Sequence, residues 1–131
     1  MAVYNSISIP IYIESRYKVN RKQIKKIVEE TLEKNNVEGP LEVSIAIVGN
    51  RKMRSLNKKY RNIDKSTNVL TFSQTEGEKS LQPQSVVALG DVVISYPYVI
   101  DEASRFDQLV DERVAELVEH GVKHLIGLHH S

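Results

Sequence analysis

Two runs of alternating hydrophobic residues, with a helical pattern between them, constrain this fold most strongly. Residues 7–13 place isoleucine at every second position, which is typical of a strand with one buried face, and Pro10 favours the edge of a sheet. Residues 41–47 repeat the alternation. Between the runs, Asn20 and Gln23 resemble a capping box at the start of an amphipathic helix. These patterns predict strands and helices that share a core.

A second helix is expected directly after the second strand. Gly49 provides a turn and Asn50 an N-cap, since an asparagine side chain accepts a hydrogen bond from the first helical N–H groups. Met53, Leu56 and Tyr60 then recur at helical spacing. We expect these three residues to form the buried stripe of the helix.

The later elements are predicted from the same periodicities. Residues 73–84 are polar and contain Gly and Pro, which indicates a loop. We expect strands at 68–72 and 86–94 on either side of it, then helical segments at about 97–106 and from about 107 onward. This order of elements predicts an α+β fold with about four strands.

Size and composition predict one domain over residues 1–131, because 40% of the residues are hydrophobic and domains of this length are common. The chain has no Cys, so a metal site would need His, Asp or Glu ligands. It has neither a bilayer-spanning apolar run nor the pattern of a signal peptide. We therefore expect a cytoplasmic protein with no membrane partner.

The charges are unevenly distributed along the chain. Residues 1–65 carry 14 Lys and Arg against 7 Asp and Glu, whereas residues 66–131 carry 4 against 10. Residues 51–65 alone contain seven basic side chains and one acidic residue, Asp64. Such a field attracts polyanions. The candidate phosphate contacts are Arg51, Lys52, Arg54, Lys58 and Lys59, although an ordinary solvated face is almost as good an interpretation.

Three histidines near the end of the sequence have metal-ligand spacing. His120 and His124 are four residues apart, so on a helix they share one face, and a turn at Gly127 would bring His130 back toward them. Three protein ligands leave one position of a zinc ion open to water, whose pKa then falls to about 7. The pattern predicts a hydrolytic site that holds one Zn²⁺ ion, with other divalent transition metals as alternatives.

The array differs from the His-Glu-x-x-His motif of zinc peptidases. In that motif a glutamate follows the first ligand and acts as general base. Here the corresponding residue is Gly121. Peptide hydrolysis therefore loses support, and the general base stays unassigned.

The sequence resembles the YbeY family of metal-dependent endoribonucleases at three motifs. His-Gly-Val-Lys-His-Leu-Ile-Gly-Leu-His-His at 120–130 is similar to the family signature His-Gly-x-Leu-His-Leu-x-Gly-Tyr-Asp-His. Leu-Asn-Lys-Lys-Tyr-Arg at 56–61, continuing to Lys-Ser-Thr-Asn-Val-Leu-Thr-Phe at 65–72, and Leu-Gly-Asp-Val-Val-Ile-Ser at 89–95 also agree, in the family's order. The resemblance implies a mixed sheet with helices mainly on one side, and a metal site on the late helix and the segment after it.

This chain departs from the family pattern at four positions: Ser73 replaces a proline, Lys123 a leucine, Leu128 a tyrosine and His129 an aspartate. His129 is the departure of chemical interest, because a fourth imidazole beside the site could exchange a proton or compete as a ligand. The family spacing favours His130 as the ligand.

Arg61 matches the family's functionally important arginine. Phosphodiester cleavage builds charge on the phosphoryl oxygens, and a guanidinium can donate to two of those oxygens at once. We therefore predict that Arg61 is catalytic. Three other residues in the matching motifs have open roles: Thr67 and Asn68 could shape the cleft or make turn hydrogen bonds, and Asp91 could orient a ligand histidine or complete a turn.

The sequence hypothesis is a single-strand-specific, metal-dependent endoribonuclease in ribosomal RNA maturation. The ribosomal role, and with it ribosomal RNA and ribosome-associated proteins as partners, is implied only by the resemblance. Two alternatives stay open. One is a metallohydrolase of another substrate, and the other is a noncatalytic ribosome-associated RNA-binding protein with a structural metal.

Overall fold

The computed structural model describes residues 6–74 and 87–130, with side chains up to residue 127. Alternating hydrophobicity produces five strands: β1 (Ile7–Ser8), β2 (Ile11–Ile13), β3 (Leu41–Val48), β4 (Val69–Ser73) and β5 (Val87–Ser95). Amphipathic segments between and after them form four helices: α1 (Arg21–Lys34), α2 (Asn50–Arg61), α3 (Tyr96–Arg105) and α4 (Val110–His130). The predicted α+β class is confirmed.

The strands form one mixed sheet. β3 lies in the middle and pairs in parallel with β1 and β2 on one side and with β5 on the other. β4 pairs antiparallel with β5, with Phe72 opposite Asp91. Within the described residues, β4 pairs with no second strand, so it is one edge of the sheet.

The two faces of the sheet are covered differently. The main core lies on one face, where α1, α3 and α4 pack. A smaller cluster of Val48, Met53, Leu70 and Val93 holds α2 on the other face. Neighbouring residues of a strand point to opposite faces, which is why Val92 belongs to the main core and Val93 to the smaller cluster. Three of the four helices therefore share one side, as expected.

Two local features at the start of the chain follow the sequence closely. The Asn20 side chain accepts a hydrogen bond from the Gln23 N–H at 3.0 Å and caps α1, which confirms the predicted start of this helix. The run at 7–13 is divided into β1 and β2 around Pro10. Since proline cannot donate to a ladder, this division lies at the sheet edge.

The predicted N-cap of α2 is wrong by one residue. Gly49 occupies the cap position and Asn50 is the first residue of the helix. The Asn50 Oδ1 atom instead accepts hydrogen bonds from Ser66 Oγ at 2.9 Å and Ser95 Oγ at 2.8 Å. Asn50 thus ties the start of α2 to the end of β5 and to the segment before β4.

The predicted loop at 73–84 is tested only at its start, because residues 75–86 lie outside the described part of the chain. Ser73 is the last residue of β4, and Gln74 follows it without regular structure.

Candidate functional site

The two histidines of α4 that have described side chains share one exposed side of the helix. His120 and His124 flank Gly121 and are one helical turn apart. Gly121 lies directly on the sheet, where an added Cβ atom would come within 2.7 Å of Val92 Cγ1 and 3.3 Å of Thr71 Cγ2. The absence of a side chain at Gly121 lets the helix approach β4 and β5 closely.

Helix geometry places these histidines above the β4 edge. At 100° per residue, His120 and His124 lie about 100° and 60° to one side of Gly121. Ala115 lies about 120° to the other side, where it lines the gap between α4 and α1. Because α1 packs against that other side, the histidines point away from α1 and toward the free edge of β4.

The turn predicted at Gly127 is absent. α4 continues through Gly127 to His130, so a straight helix places position 130 about 120° around the axis from His124. An added Cβ atom at Gly127 would meet no atom within 4 Å. The glycine is therefore required neither by packing nor by a turn in this conformation.

The predicted metal site is only half described. His120 and His124 are together as expected, whereas the side chains of His129 and His130 lie outside the described residues. In the part of the chain with described side chains, no group of three His, Cys, Asp or Glu residues could hold a metal ion. The third ligand stays a prediction.

The basic side chains of α2 form a solvated surface on the other face of the sheet. The five predicted phosphate contacts and Arg61 are all exposed. Arg61 is the last residue of the helix, directly before Asn62, which ends α2 in the left-handed conformation with φ 61°. Its guanidinium makes no hydrogen bond or ion pair with the residues that the structure describes. Arg61 is therefore available to a ligand.

Arg54 is the exception among these cations. Its Nε and Nη2 atoms donate to the two Asp64 carboxylate oxygens at 2.7 and 3.2 Å. This hydrogen bond with Arg54 lowers the pKa of the Asp64 carboxyl below its ordinary value. A bidentate pair of this kind compensates the charge of Arg54, so Arg54 is the least available of the predicted phosphate contacts.

The predicted burial of Tyr60 is wrong. Met53 is fully buried and Leu56 is half-buried, but the Tyr60 side chain is 57% exposed. Its ring meets Phe72 of β4 edge to face, with centroids 5.1 Å apart. Asn57 takes the buried position instead and donates to the Lys65 carbonyl at 2.9 Å. An aromatic residue within a basic segment can indicate nucleic-acid binding. We missed this signal because the helical spacing assigned Tyr60 to the buried face of α2.

The structure shows the contacts of two further motif residues, Asn68 and Asp91. Asn68 donates to Glu102 at 3.3 Å, and Glu102 also pairs with Arg113 at 3.0 Å. Asn68 therefore joins β4 to α3. Asp91 lies inside β5 and accepts a hydrogen bond from Gln74 Nε2 at 2.7 Å. Because its neighbour Val92 faces α4, Asp91 faces away from His120 and His124, so it orients neither of these two histidines, and its place inside β5 means that it does not complete a turn.

β4 is the strand that relates the two predicted halves of the site. α4 contacts it at Thr71 and α2 contacts it at Phe72, on the opposite face. Exposed imidazoles and a guanidinium that has no partner among the described residues thus flank one sheet edge from its two sides. Imidazoles bind transition metals, and guanidinium groups bind phosphate oxygens. This combination suits a phosphate ester better than a peptide.

A model of a known family and several relatives match this chain. The family model described as Endoribonuclease YbeY matches residues 11–131. A relative named Endoribonuclease YbeY from Acinetobacter baumannii is 38% identical over 112 residues, which are 86% of this chain and 71% of the relative. One of the same name from Roseiflexus castenholzii is 34% identical over 108 residues, which are 82% of this chain and 68% of the relative.

The fold also has a solved neighbour. The solution structure of TM1509 from Thermotoga maritima matches with a TM-score of 0.59 and 25% sequence identity, covering 89% of this chain and 71% of that one. Among the helices described here, none is long and apolar enough to cross a membrane.

Proposed function

This chain belongs to the YbeY family of endoribonucleases, and we propose that it cleaves single-stranded RNA at a zinc ion in the maturation of ribosomal RNA. The observation that supports this proposal is the edge of β4, which is flanked by exposed histidines of α4 and by the exposed Arg61 of α2. A ribosomal substrate would place the protein in the cytoplasm, beside ribosome-associated partners.

The described histidines suit a zinc ion. His120 and His124 are exposed, lie one turn apart, and have no hydrogen bond or ion pair with described residues. Neutral imidazole nitrogens are common zinc ligands. We propose His130 as the third ligand, which requires the chain to leave the helical path after Gly127. When bound, zinc would supply Lewis-acid chemistry and activate water at neutral pH.

Arg61 would act on the phosphate rather than on the metal. It lies at the carboxyl end of α2, and the residue is exposed. A planar fork of N–H groups can bind two phosphoryl oxygens and stabilise the charge that develops on them during cleavage. We therefore assign Arg61 as the charge-stabilising residue.

The exposed cations along α2 would position the RNA backbone. Arg51, Lys52, Lys58 and Lys59 are exposed, and no ion pair is described for them. Contacts to phosphate carry no sequence information. They would hold a single strand along α2 so that one phosphodiester reaches the β4 edge.

The proposal is tested by cleavage of single-stranded RNA with protein that is stripped of metal and then reloaded with zinc. We expect cleavage only after zinc is restored, and a loss of cleavage in both His124→Ala and Arg61→Ala. Equal degradation by wild type and both variants would identify a contaminating nuclease and contradict the proposal. RNA binding without cleavage, together with unfolding on chelation, would instead support a binding protein with a structural metal.

A further inference from the structure

A groove on the α2 face of the sheet has no role in the function proposed so far. It has a volume of about 720 Å³, which lies within the range of small-molecule sites. Its wall is formed by α2 and its floor by β3, β4 and β5. The lining includes Ser44, Leu56, Tyr60, Phe72, Asp91 and Val93.

One wall of the groove is an exposed aromatic platform. Tyr60 presents most of its ring to solvent, and Phe72 holds the ring edge to face at an interplanar angle of 65°. Aromatic rings in this setting stack with nucleic-acid bases, which all have a π-face. Because Phe72 belongs to a strand, the Tyr60 ring is supported by the sheet rather than by a loop.

The negative charge lies inside the groove and the positive charges lie on its rim. Asp91 is the one charged residue among the lining residues that the structure describes. The cations lie on the rim: Lys59 Nζ is 5.2 Å from the centroid of the Tyr60 ring, and Arg61 follows Tyr60 in the chain. A phosphate is repelled from the Asp91 carboxylate but attracted to the rim. The groove therefore favours a base inside it and phosphates outside it.

Asp91 also provides a polar contact for such a base. It lies directly across the β4–β5 ladder from Phe72 and across from Ser44 of β3. Gln74 donates to one carboxylate oxygen at 2.7 Å. The other oxygen accepts no hydrogen bond from the described residues, so it is an acceptor facing the groove. Carboxylates accept hydrogen bonds from the N4 amino group of cytosine.

We propose that this groove binds one base of the single-stranded RNA substrate, stacked on Tyr60, with the Asp91 carboxylate accepting a hydrogen bond from an amino group of that base. This inference rests on the proposed function, since it names a subsite for the same substrate. Lys59 and Arg61, on either side of Tyr60 in sequence, would bind the phosphates next to the stacked base. Tyr60 thus sets which nucleotide lies beside Arg61.

Tryptophan fluorescence tests the stacking, because the chain contains no Trp. Zinc-loaded Tyr60→Trp is mixed with octacytidine in a stopped-flow instrument, and the anisotropy of a dye on the RNA records binding in the same experiment. We expect Trp emission to fall in step with binding. The matched control is Phe106→Trp at the end of α3, on the other face of the sheet, where Phe106 is 50% exposed. Its emission should not change.

Steady-state cleavage gives a second readout. Stacking on one aromatic side chain corresponds to roughly a 5- to 150-fold effect on affinity. We expect Tyr60→Ala to raise KM by about that factor with little change in kcat, and Tyr60→Phe to restore the wild-type KM. Wild-type kinetics in Tyr60→Ala would overturn the subsite.

The role of Asp91 is tested with octacytidine and octauridine, which differ in the exocyclic group of each base. We expect wild type to bind octacytidine several-fold more tightly, and Asp91→Ala to bind the two equally. If wild type binds octacytidine and octauridine equally, Asp91 does not contact the base.

Failure of the subsite can be distinguished from failure of the proposed function. If wild type cleaves RNA while the emission of Tyr60→Trp stays constant on binding, the subsite is overturned and the enzyme function stands. If wild type neither binds nor cleaves single-stranded RNA, the proposed function is overturned, and the subsite with it.

Discussion

Arg61 and Arg54 lie on the same helix but differ in what their guanidinium groups can do. Arg54 is held by both oxygens of Asp64, whereas Arg61 has no partner among the described residues. A charge that is already paired gains little from a phosphate, because the existing pair must first be broken. Exposure and pairing therefore favour Arg61 as the residue that acts on substrate.

Substitution of Arg61 by alanine should remove transition-state stabilisation without affecting the fold. We expect kcat for RNA cleavage to fall roughly 10²- to 10³-fold, as for other charge-stabilising donors. The free energy of unfolding should change by less than about 0.5 kcal/mol, since the side chain is exposed. The control is Arg105→Ala, an exposed arginine of α3 that pairs with Asp101. A similar kcat in both variants would remove Arg61 from the reaction.

Asp64→Asn should free Arg54 and strengthen RNA binding. The substitution removes a negative charge beside the cations of α2 and releases the Arg54 guanidinium. We expect a several-fold lower Kd by fluorescence anisotropy at low salt, with a difference that shrinks as salt is added. An unchanged Kd at low salt would show that this part of α2 does not contact RNA.

The same pair predicts how the Asp64 carboxyl titrates. The hydrogen bond from Arg54 lowers the pKa of Asp64, so the pair contributes stability above the unfolded-state pKa and loses it as pH falls through the lowered value. Titration by NMR should place the Asp64 pKa below that of an ordinary aspartate. Arg54→Ala should return it toward the ordinary value. A pKa of Asp64 that is insensitive to Arg54→Ala would contradict the pairing.

Single residues show where sequence periodicity stops being informative. The spacing of Met53, Leu56 and Tyr60 predicted one stripe, but only Met53 is fully buried. α2 contacts a small cluster rather than the main core, and Tyr60 packs edge to face on Phe72 at the sheet surface, where most of its side chain stays exposed. The roles of Asn50 and Asp91 depend on partners 16 to 45 residues away. No local pattern could have identified those partners.

α4 combines two glycines with different roles. Gly121 is needed for close contact with Val92, whereas Gly127 has open space around its Cβ position. Glycine inside a helix costs about 0.5–1 kcal/mol relative to alanine. Gly127 therefore weakens the helix between His124 and His130, and it is not needed for packing. A weak helix at this point would allow the chain to leave the helical path and complete the proposed metal site.

Alanine at these two glycines should have opposite effects on stability. Gly127→Ala should raise the free energy of unfolding of the metal-free protein by about 0.5–1 kcal/mol and weaken zinc binding, because it favours the helical form. Gly121→Ala should lower stability by about 1–3 kcal/mol through overpacking against Val92. Urea unfolding and zinc titration by calorimetry measure both. Tighter zinc binding in Gly127→Ala would show that the ligands assemble on a continuous helix.

The elements themselves were largely predictable. Alternation, short apolar runs and helical spacing located all four helices and the β3, β4 and β5 strands to within about three residues. The break between β1 and β2 could be expected from Pro10. The path of the chain after Gly127 could not be predicted, since glycine is compatible with both a turn and a helix.

Across the molecule, α2 and α4 carry net charges of opposite sign on the two faces of the sheet. The cations of α2 lie on one face, and α4 begins with Asp111 and Glu112 on the other. The overall charge of +1 conceals this division. A polyanion is therefore guided to one side of the molecule. Which face receives which helix depends on sheet topology, which the chain alone did not specify beyond the family resemblance.

This division predicts the salt dependence of RNA binding. If three to five cations of α2 contact phosphates, log K against log salt should have a slope of about −2 to −3.5. Lys52→Ala with Lys59→Ala should reduce the magnitude of the slope by about 1.4. The control is Lys25→Ala with Lys26→Ala, which removes two exposed lysines of α1 on the other face. Equal effects of the two pairs would contradict binding along α2.

We propose above that a metal ion on α4 directs RNA cleavage at the β4 edge. This proposal is tested most directly by mapping the cuts in an end-labelled RNA that contains both a duplex stem and a single-stranded loop. We expect zinc-dependent internal cuts only in the loop, and we expect them to disappear in His124→Ala while RNA binding is retained. Cuts in the stem, a ladder from one end, or unchanged cleavage in His124→Ala would contradict it.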